Sequence, residues 1–183
     1  MSRWIASQRV QSKADQVVSL FQFARSEAIR LNLPIVACAT TIKTGTGTGT
    51  GASNTCSDFE ASSSMQGMII WKDTQLNNNF VADQTIRTVA VNQNGTDSKI
   101  TSKFAVFDNT GASVTGVTRI GFMPSGMMGW YKDNSWSTGA GYVVFTLTDT
   151  KDNTLVRKVL IDPSGKSVVC NVNTPQSDYC LDK

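Results

Sequence analysis

The residues of this chain that could do chemistry are its cysteines and carboxylates, because it contains no histidine. Without histidine, the commonest general base and the usual serine or cysteine triads are missing. The cysteines show neither the C-x-x-C spacing nor the mixed Cys/His pattern of a zinc site. Asp58 and Glu60 stand two residues apart in a predicted loop, where carboxylates are more often solvated than catalytic. The sequence therefore predicts no enzyme, no metal site, no cofactor and no small-molecule substrate.

Two motifs resemble ligand sites but lack essential positions. The Asx-rich stretch from Asp73 to Asp83 suggests calcium, but an EF-hand-type loop needs Gly at its sixth position and Glu at its twelfth. This chain has Asn78 and Gln84 there, and turn formation explains the Asn and Asp residues better. The GKS sequence at 165–167 resembles the end of a phosphate-binding loop. It lies in a predicted strand-to-strand turn, without the helix N-terminus that would face phosphate.

The four cysteines are more informative about covalent structure. Cys38, Cys56, Cys170 and Cys180 allow three pairings. The pairs Cys38–Cys56 and Cys170–Cys180 are favoured because each closes the shorter loop, and short closures cost less entropy. Each bridge would stabilise the fold by about 3 kcal/mol on loop-entropy arithmetic. Persistent disulfides indicate an oxidising compartment such as the periplasm or the cell exterior; four buried free thiols in a cytosolic protein are the alternative.

An apolar stripe predicts one long helix over residues 2–32, about 46 Å in length at 1.5 Å per residue. Its spacings alternate between four and three residues, which places its members on one helix face. The charged residues between Arg9 and Arg30 are expected on a solvated face. The helix should stop at Asn32, because the residue before Pro34 is pushed out of helical geometry. The stripe consists of Val10, Ala14, Val17, Phe21, Ala24, Ala28 and Leu31.

The first two turns of the helix do not continue the stripe, because Arg3 and Ser7 occupy its positions. We therefore expect a cut helix whose natural chain continues upstream, with Met1 and Ser2 standing in for the missing part. The exposed part of the helix is the candidate for subunit contact. It includes Trp4, Ile5, Arg9 and Lys13. A frayed end is the alternative explanation for its two apolar residues.

The net charge of +3 is confined to the helix. Residues 1–32 carry five basic and two acidic side chains, whereas the rest of the chain carries twelve of each. A neutral body lacks the basic face that general nucleic-acid binders present. The charge distribution therefore disfavours nucleic acid as a partner.

Beyond Pro34 the sequence predicts short strands separated by turns, a pattern typical of antiparallel sheet and not of βαβ units. A chain of 183 residues is expected to form one domain. The Thr-Gly repeat at 44–51 is interpreted as a surface insertion, with a recognition loop as the alternative. The predicted strands cover 34–42, 66–71, 86–91, 104–107, 118–123, 127–130, 142–148, 155–161 and 166–172.

Four stretches, in this order, resemble minor type IV pilins and pseudopilins of the GspH/FimU/FimT type. The helix end FARSEAIRLN at 23–32, followed by Pro34, is the most specific of them. QGMIIWKD at 66–73 is similar to the GW-hydrophobic-F-x-D strand of these proteins, and IGFMPSG at 120–126 to their F-x-P-x-G strand and turn. Residues 155–170, with DPSGK at 162–166, resemble the closing hairpin. Together these stretches touch most of the chain.

The resemblance implies an α+β fold, in which a long N-terminal helix packs on antiparallel β-sheets to form a type IV pilin-like head domain. Residues 1–183 would be one globular domain, with 1–32 as the C-terminal half of the pilin helix and 33–183 as the β-rich head. The N-terminal membrane segment would be absent. The resemblance also implies a disulfide near the C-terminus, where Cys170 and Cys180 lie.

The functional implication, with FimU-like proteins favoured, is a minor pilin of type IV pilus assembly, initiation or tip structure, acting through protein–protein contacts. Its partners would be other minor pilins, the major pilin and, through the missing segment, the membrane. The head would be held in the periplasm by an inner-membrane anchor and then carried on the pilus at the surface of a Gram-negative bacterium. Fimbrium biogenesis and twitching motility are the processes implied.

Three other functions are considered. A FimT-like DNA-uptake subunit would carry a basic G-R-x-R turn, but the matching GKSV turn at 165–168 has one cation. The weak candidates for DNA contact are Arg157, Lys158 and Lys166, which could give only salt-sensitive binding. A GspH-like type II secretion pseudopilin is the second alternative. The third is a secreted adhesin or carbohydrate-binding module, suggested by Trp71, Trp130, Tyr131 and Trp136.

Overall fold

The computed structural model describes residues 2–40, 55–59, 65–91, 99–170 and 178–180. The Thr-Gly repeat at 44–51 lies outside this part of the chain. Helix α1 spans Ser2–Leu31, and two single 3-10 turns span Ala82–Gln84 and Asp178–Cys180. The strands are β1 Ile35–Thr40, β2 Cys56–Ser57, β3 Gly67–Lys72, β4 Thr85–Ala90, β5 Ile100–Asp108, β6 Ser113–Val114, β7 Arg119–Phe122, β8 Met128–Lys132, β9 Ser135–Thr138, β10 Gly141–Asp149, β11 Val156–Ile161 and β12 Ser167–Cys170.

Helix α1 buries the predicted apolar stripe. Six of its seven members, from Val10 to Ala28, are almost completely buried, and Leu31 is partly buried where the helix ends. Phe21 occupies the middle of the stripe, with its ring 6.1 Å from that of Phe122 and 5.3 Å from that of Phe145. The helix ends as the sequence predicts, with Asn32 in the left-handed region at φ 53° ahead of Pro34.

The first sheet has seven strands in the order β4-β3-β1-β7-β8-β9, with β2 added on β1. Its central strand β1 is buried on both faces. Ile35, Ala37 and Ala39 join the main core beneath the helix, whereas Val36 and Cys38 join a smaller outer core around Trp71. Burial on both sides explains why this strand is a continuous apolar run without polar alternation.

The second sheet has five strands in the order β12-β11-β10-β5-β6. Its central strand β10 alternates strictly, with Val143, Phe145 and Leu147 buried in the main core and Tyr142 and Val144 on the outer face. Helix α1 contacts β10, β11 and β12 of this sheet and β1, β4 and β7 of the first. The main core therefore lies between one helix and both sheets.

The predicted fold class is confirmed, since a long N-terminal helix packs on sheets in which every strand pair that the structure describes is antiparallel. The predicted strands are present with ends shifted by a few residues, and β5 is longer than predicted. The sequence interpretation missed β2, β6 and β9, which have two to four residues each. Strands this short carry too little periodicity to be recognised.

Candidate subunit-interaction surfaces

The N-terminal end of α1 presents two large apolar side chains to solvent. Trp4 is 70% exposed and Ile5 is 53% exposed. Beside them, Arg3 is fastened to the turn between β10 and β11: its Nε lies 3.1 Å from a carboxylate oxygen of Asp152, and its Nη2 donates to Thr154 Oγ1 at 3.1 Å. The helix end is thus held to the head by one polar residue, while its apolar pair remains uncovered.

The prediction for Arg9 and Lys13 must be corrected, because the sequence places both side chains on the solvated face of the helix. Both side chains are only partly exposed and reach back to the head. Arg9 Nη1 lies 3.4 Å from the carboxylate of Asp149, which is 4% exposed. Lys13 Nζ donates to the carbonyl oxygen of Ala90 at 2.8 Å, and burial lowers the pKa of Lys13. Long basic side chains can bend toward acceptors in this way, and the spacing of residues along the sequence does not show in which direction they bend.

Arg25 is a third basic residue that the sequence places in solvent, and in the structure its side chain is partly buried and contacts the head. Its Nε donates to the carbonyl oxygen of Gly126 at 3.1 Å. Gly126 and Gly165 belong to turns of different sheets, and each has a φ of +82°. A Cβ added to Gly165 would lie 2.2 Å from the carbonyl oxygen of Gly126. The two turns therefore meet next to the helix through glycine backbone and one guanidinium.

A disulfide joins Cys170 and Cys180 at the outer face of the five-stranded sheet. Next to it, the ring of Tyr179 lies 4.7 Å from that of Tyr142, which stacks at 5.1 Å on Phe107. Burial, with smaller contributions from neighbouring groups, raises the pKa of Tyr142. A cavity of about 180 Å³ lies between these rings, Lys158 and the disulfide, smaller than the roughly 300–1,000 Å³ of typical ligand pockets.

The second disulfide, Cys38–Cys56, anchors β2 to the central strand of the seven-stranded sheet. Both disulfides join the cysteines that loop length favours. Around Cys38, the outer core holds Trp71, which is fully buried and packs edge-on against Phe80 with 5.8 Å between ring centroids. Trp130 is also buried. Two of the four aromatic residues considered for carbohydrate binding are thus unavailable for stacking on a sugar.

The three candidate DNA contacts do not converge. Arg157 Nε donates to Gln11 Oε1 of the helix at 2.7 Å. Lys158 follows it on the same strand, so it points to the opposite face of the sheet and lines the outer cavity. Lys166 is exposed in the β11–β12 turn, where its backbone N–H donates to Asp162 Oδ1 at 3.0 Å. Arg157 and Lys158, on opposite faces of the sheet, cannot bind one phosphate together.

The Asx-rich loop is held by turn hydrogen bonds. Asp73 is 2% exposed, and its two carboxylate oxygens accept the backbone N–H groups of Asn77 at 3.2 Å and Asn78 at 2.8 Å. In the described residues no three His, Cys, Asp or Glu side chains cluster as metal ligands would. The geometry of this loop matches turn chemistry.

A long helix laid across two antiparallel sheets, with an exposed apolar N-terminal end and a C-terminal disulfide, defines a pilin-type head. The family model of the type II transport protein GspH matches residues 13–165, and the chain belongs to this family. Membership of this family agrees with the prediction that the chain is not an enzyme. Within the described residues, no helix combines the length and the apolarity that a membrane crossing requires.

Two crystal structures of the type IV minor pilin FimU from Pseudomonas aeruginosa (strain PAO1) have a similar fold. The structure in space group P65 is 18% identical with a TM-score of 0.52, covering 92% of this chain and 99% of that one. The structure in P21 is 16% identical with a TM-score of 0.51, covering 94% of this chain and 96% of that one. Identities this low establish the shared fold alone. A comparison with individually annotated proteins gives no significant match.

Proposed function

We propose that this chain is the head of a minor pilin that helps to initiate or cap a type IV pilus. In this proposal an upstream apolar segment anchors the subunit in the inner membrane, the head faces the periplasm, and the assembled pilus carries it to the cell surface. Its partners are other minor pilins and the major pilin. Membership of the GspH family and the FimU-like fold support the proposal.

The observation that carries the proposal is the uncovered pair Trp4 and Ile5 at the N-terminal end of the helix. Tryptophan is enriched among interface residues whose truncation costs most. Arg3 and Arg9 contact Asp152 and Asp149 of the head, while the apolar pair between them stays exposed. Such an arrangement suits packing against the helix of a neighbouring subunit.

The test uses the full-length gene in its native host. Deleting the gene should remove surface pili and twitching motility, and the wild-type gene should restore both. Trp4→Ala/Ile5→Ala should fail to restore piliation, because losing interface anchors of this kind costs about 2 kcal/mol or more, roughly a thirtyfold loss of affinity. Sheared pili and whole-cell protein would be quantified by immunoblot.

Leu76→Ala is the matched control, because Leu76 is an apolar residue of the head that is 68% exposed. It should restore piliation fully at the same protein level. Normal piliation by Trp4→Ala/Ile5→Ala at wild-type abundance would contradict the proposed role of the helix end.

A GspH-like pseudopilin of type II secretion is the second candidate, favoured because the matching family is that of the type II transport protein GspH. It predicts the opposite phenotype: deletion should block export of secreted enzymes and leave surface pili intact. Measuring both phenotypes in one deletion strain therefore separates the two functions.

A further inference from the structure

Among the strands that the structure describes, none pairs with the outer side of β4, and this edge of the seven-stranded sheet lies beside a groove that the proposed function does not use. Strand β4 is the last strand at this edge, and a groove of about 610 Å³ separates residues 87–90 from the helix. The opposite wall is formed by polar residues of α1: Gln8, Gln11, Ser12, Lys13, Asp15, Gln16 and Ser19. The volume falls within the range of typical binding sites.

The backbone of β4 presents hydrogen-bonding groups to this groove. In an antiparallel pair, the N–H and C=O of successive residues point alternately to the partner strand and away from it. Val91 N–H donates to the carbonyl of Gln66 on the β3 side, whereas the carbonyl of Ala90 accepts from Lys13 on the groove side. By this alternation Thr88, like Ala90, faces the groove. Within the described residues, no partner strand covers Thr88 on that side.

Each charged side chain of the groove has a contact within the molecule. Lys13 Nζ donates to the carbonyl of Ala90 and to Gln16 Oε1. Asp15 accepts from Gln11 Nε2 at 3.0 Å, and the guanidinium of Arg87 lies 5.5 Å from the ring centroid of Phe23. The groove thus offers amides, hydroxyls and backbone groups to an occupant, and it does not demand a charged one.

We propose that the β4 edge accepts an extended, uncharged segment of a neighbouring protein, which adds to the sheet as a strand between β4 and α1. Strand addition at a sheet edge draws its affinity from backbone hydrogen bonds. The side chains of the segment that point to the helix would be Ser, Thr, Asn or Gln. The helix wall favours a slim loop or terminal segment, because a second copy of this head would bring its own helix against the same edge. The inference is independent of the pilus function proposed above.

The experiment measures binding of a labelled synthetic peptide, SVTVTVS, to the purified protein by fluorescence anisotropy. Thr88→Pro removes the N–H that faces the groove and should weaken binding about fivefold to tenfold, the usual effect of losing one or two hydrogen bonds. A peptide N-methylated at alternate amides should bind more weakly by a similar factor.

Thr138→Pro is the matched control at the other edge of the same sheet. Gly139 N–H donates to the carbonyl of Met128, so the N–H of Thr138 points away from β8. This variant should bind the peptide within twofold of wild type. Circular dichroism should show that both proline variants keep the wild-type fold.

Three results would overturn the inference. One is no measurable binding of SVTVTVS to wild type, and another is equal binding to the two proline variants. The third is a wild-type dimer in sedimentation that Thr88→Pro dissociates, which would make a second copy the occupant. Loss of peptide binding with normal piliation would leave the minor pilin proposal intact.

Discussion

At the scale of single residues, the observed positions of three basic side chains differ from those that the sequence predicts. The sequence shows that Arg9, Lys13 and Arg25 flank an apolar stripe, and spacing alone places them in solvent. Their partners are Asp149, the carbonyl of Ala90 and the carbonyl of Gly126, which come close only after the sheets have formed. No local pattern encodes such acceptors, because they are 77 to 140 residues away along the chain.

The contact between the two glycine turns is a residue-scale feature that can be tested. Gly165→Ala should destabilise the fold by about 2 kcal/mol or more, because a left-handed φ alone costs about 1–2 kcal/mol and the new Cβ would collide with the carbonyl of Gly126. Urea unfolding measures the change. Gly111→Ala is the control: its φ is +84°, but its nearest neighbour would be 4.0 Å away. Equal losses in the two variants would show that the turn contact contributes nothing.

At the scale of elements, the helix and the long strands were predictable, whereas the short strands were not. The stripe of α1 follows helical spacing over three heptads, and β1, β3 and β10 are rich in β-branched and aromatic residues. β9 is different: three of the four residues of Ser135–Thr138 are polar, and its pairing with β8 defines it as a strand. The groove beside β4 could not be predicted from the sequence either, because it depends on where the helix crosses the sheet.

The central role of Phe21 is a prediction at the element scale. Its ring touches Phe122 of the first sheet and Phe145 of the second, so Phe21→Ala should leave a cavity where helix and both sheets meet. The expected loss is about 3–5 kcal/mol in the free energy of unfolding, measured by urea titration. Ile29→Ala, on the same helix but 52% exposed, should cost less than about 1 kcal/mol. A small loss for Phe21→Ala would mean that the sheets are joined mainly by other contacts.

At the scale of the whole molecule, three surface carboxylates contribute to the dependence of stability on acid pH. The Thr110 hydroxyl, followed by the backbone N–H of Ala112, lowers the pKa of Asp108. The Thr154 hydroxyl does the same for Asp152, and the Arg30 guanidinium for Glu27. Each group holds fewer protons in the folded state than in the unfolded state. The stability that these three carboxylates contribute is therefore fully present above their ordinary pKa values of 3.8 and 4.5, and it is lost as pH falls through the lowered pKa values.

The corresponding prediction concerns Asp108→Asn. This variant should be less stable than wild type near pH 7 and should approach wild type near pH 2, because the variant lacks the titrating group. Thermal unfolding followed by circular dichroism across this range would measure the difference. If the difference in melting temperature between Asp108→Asn and wild type stayed constant down to pH 2, the lowered pKa of Asp108 would be contradicted.

The way in which α1 is attached has a mechanical consequence. Its outermost turns are held by Arg3 and Arg9, and the buried stripe begins only at Val10. The Arg3–Asp152 pair lies at the surface, where an ion pair contributes little, whereas the carboxylate of Asp149 beside Arg9 is buried and the stripe packs against both sheets. Tension applied at the Trp4 end would therefore first release the turn that Arg3 holds, before the Arg9–Asp149 pair and the buried stripe carry the load. The contacts at this end would thus break in order of their burial, with the exposed pair first and the stripe last.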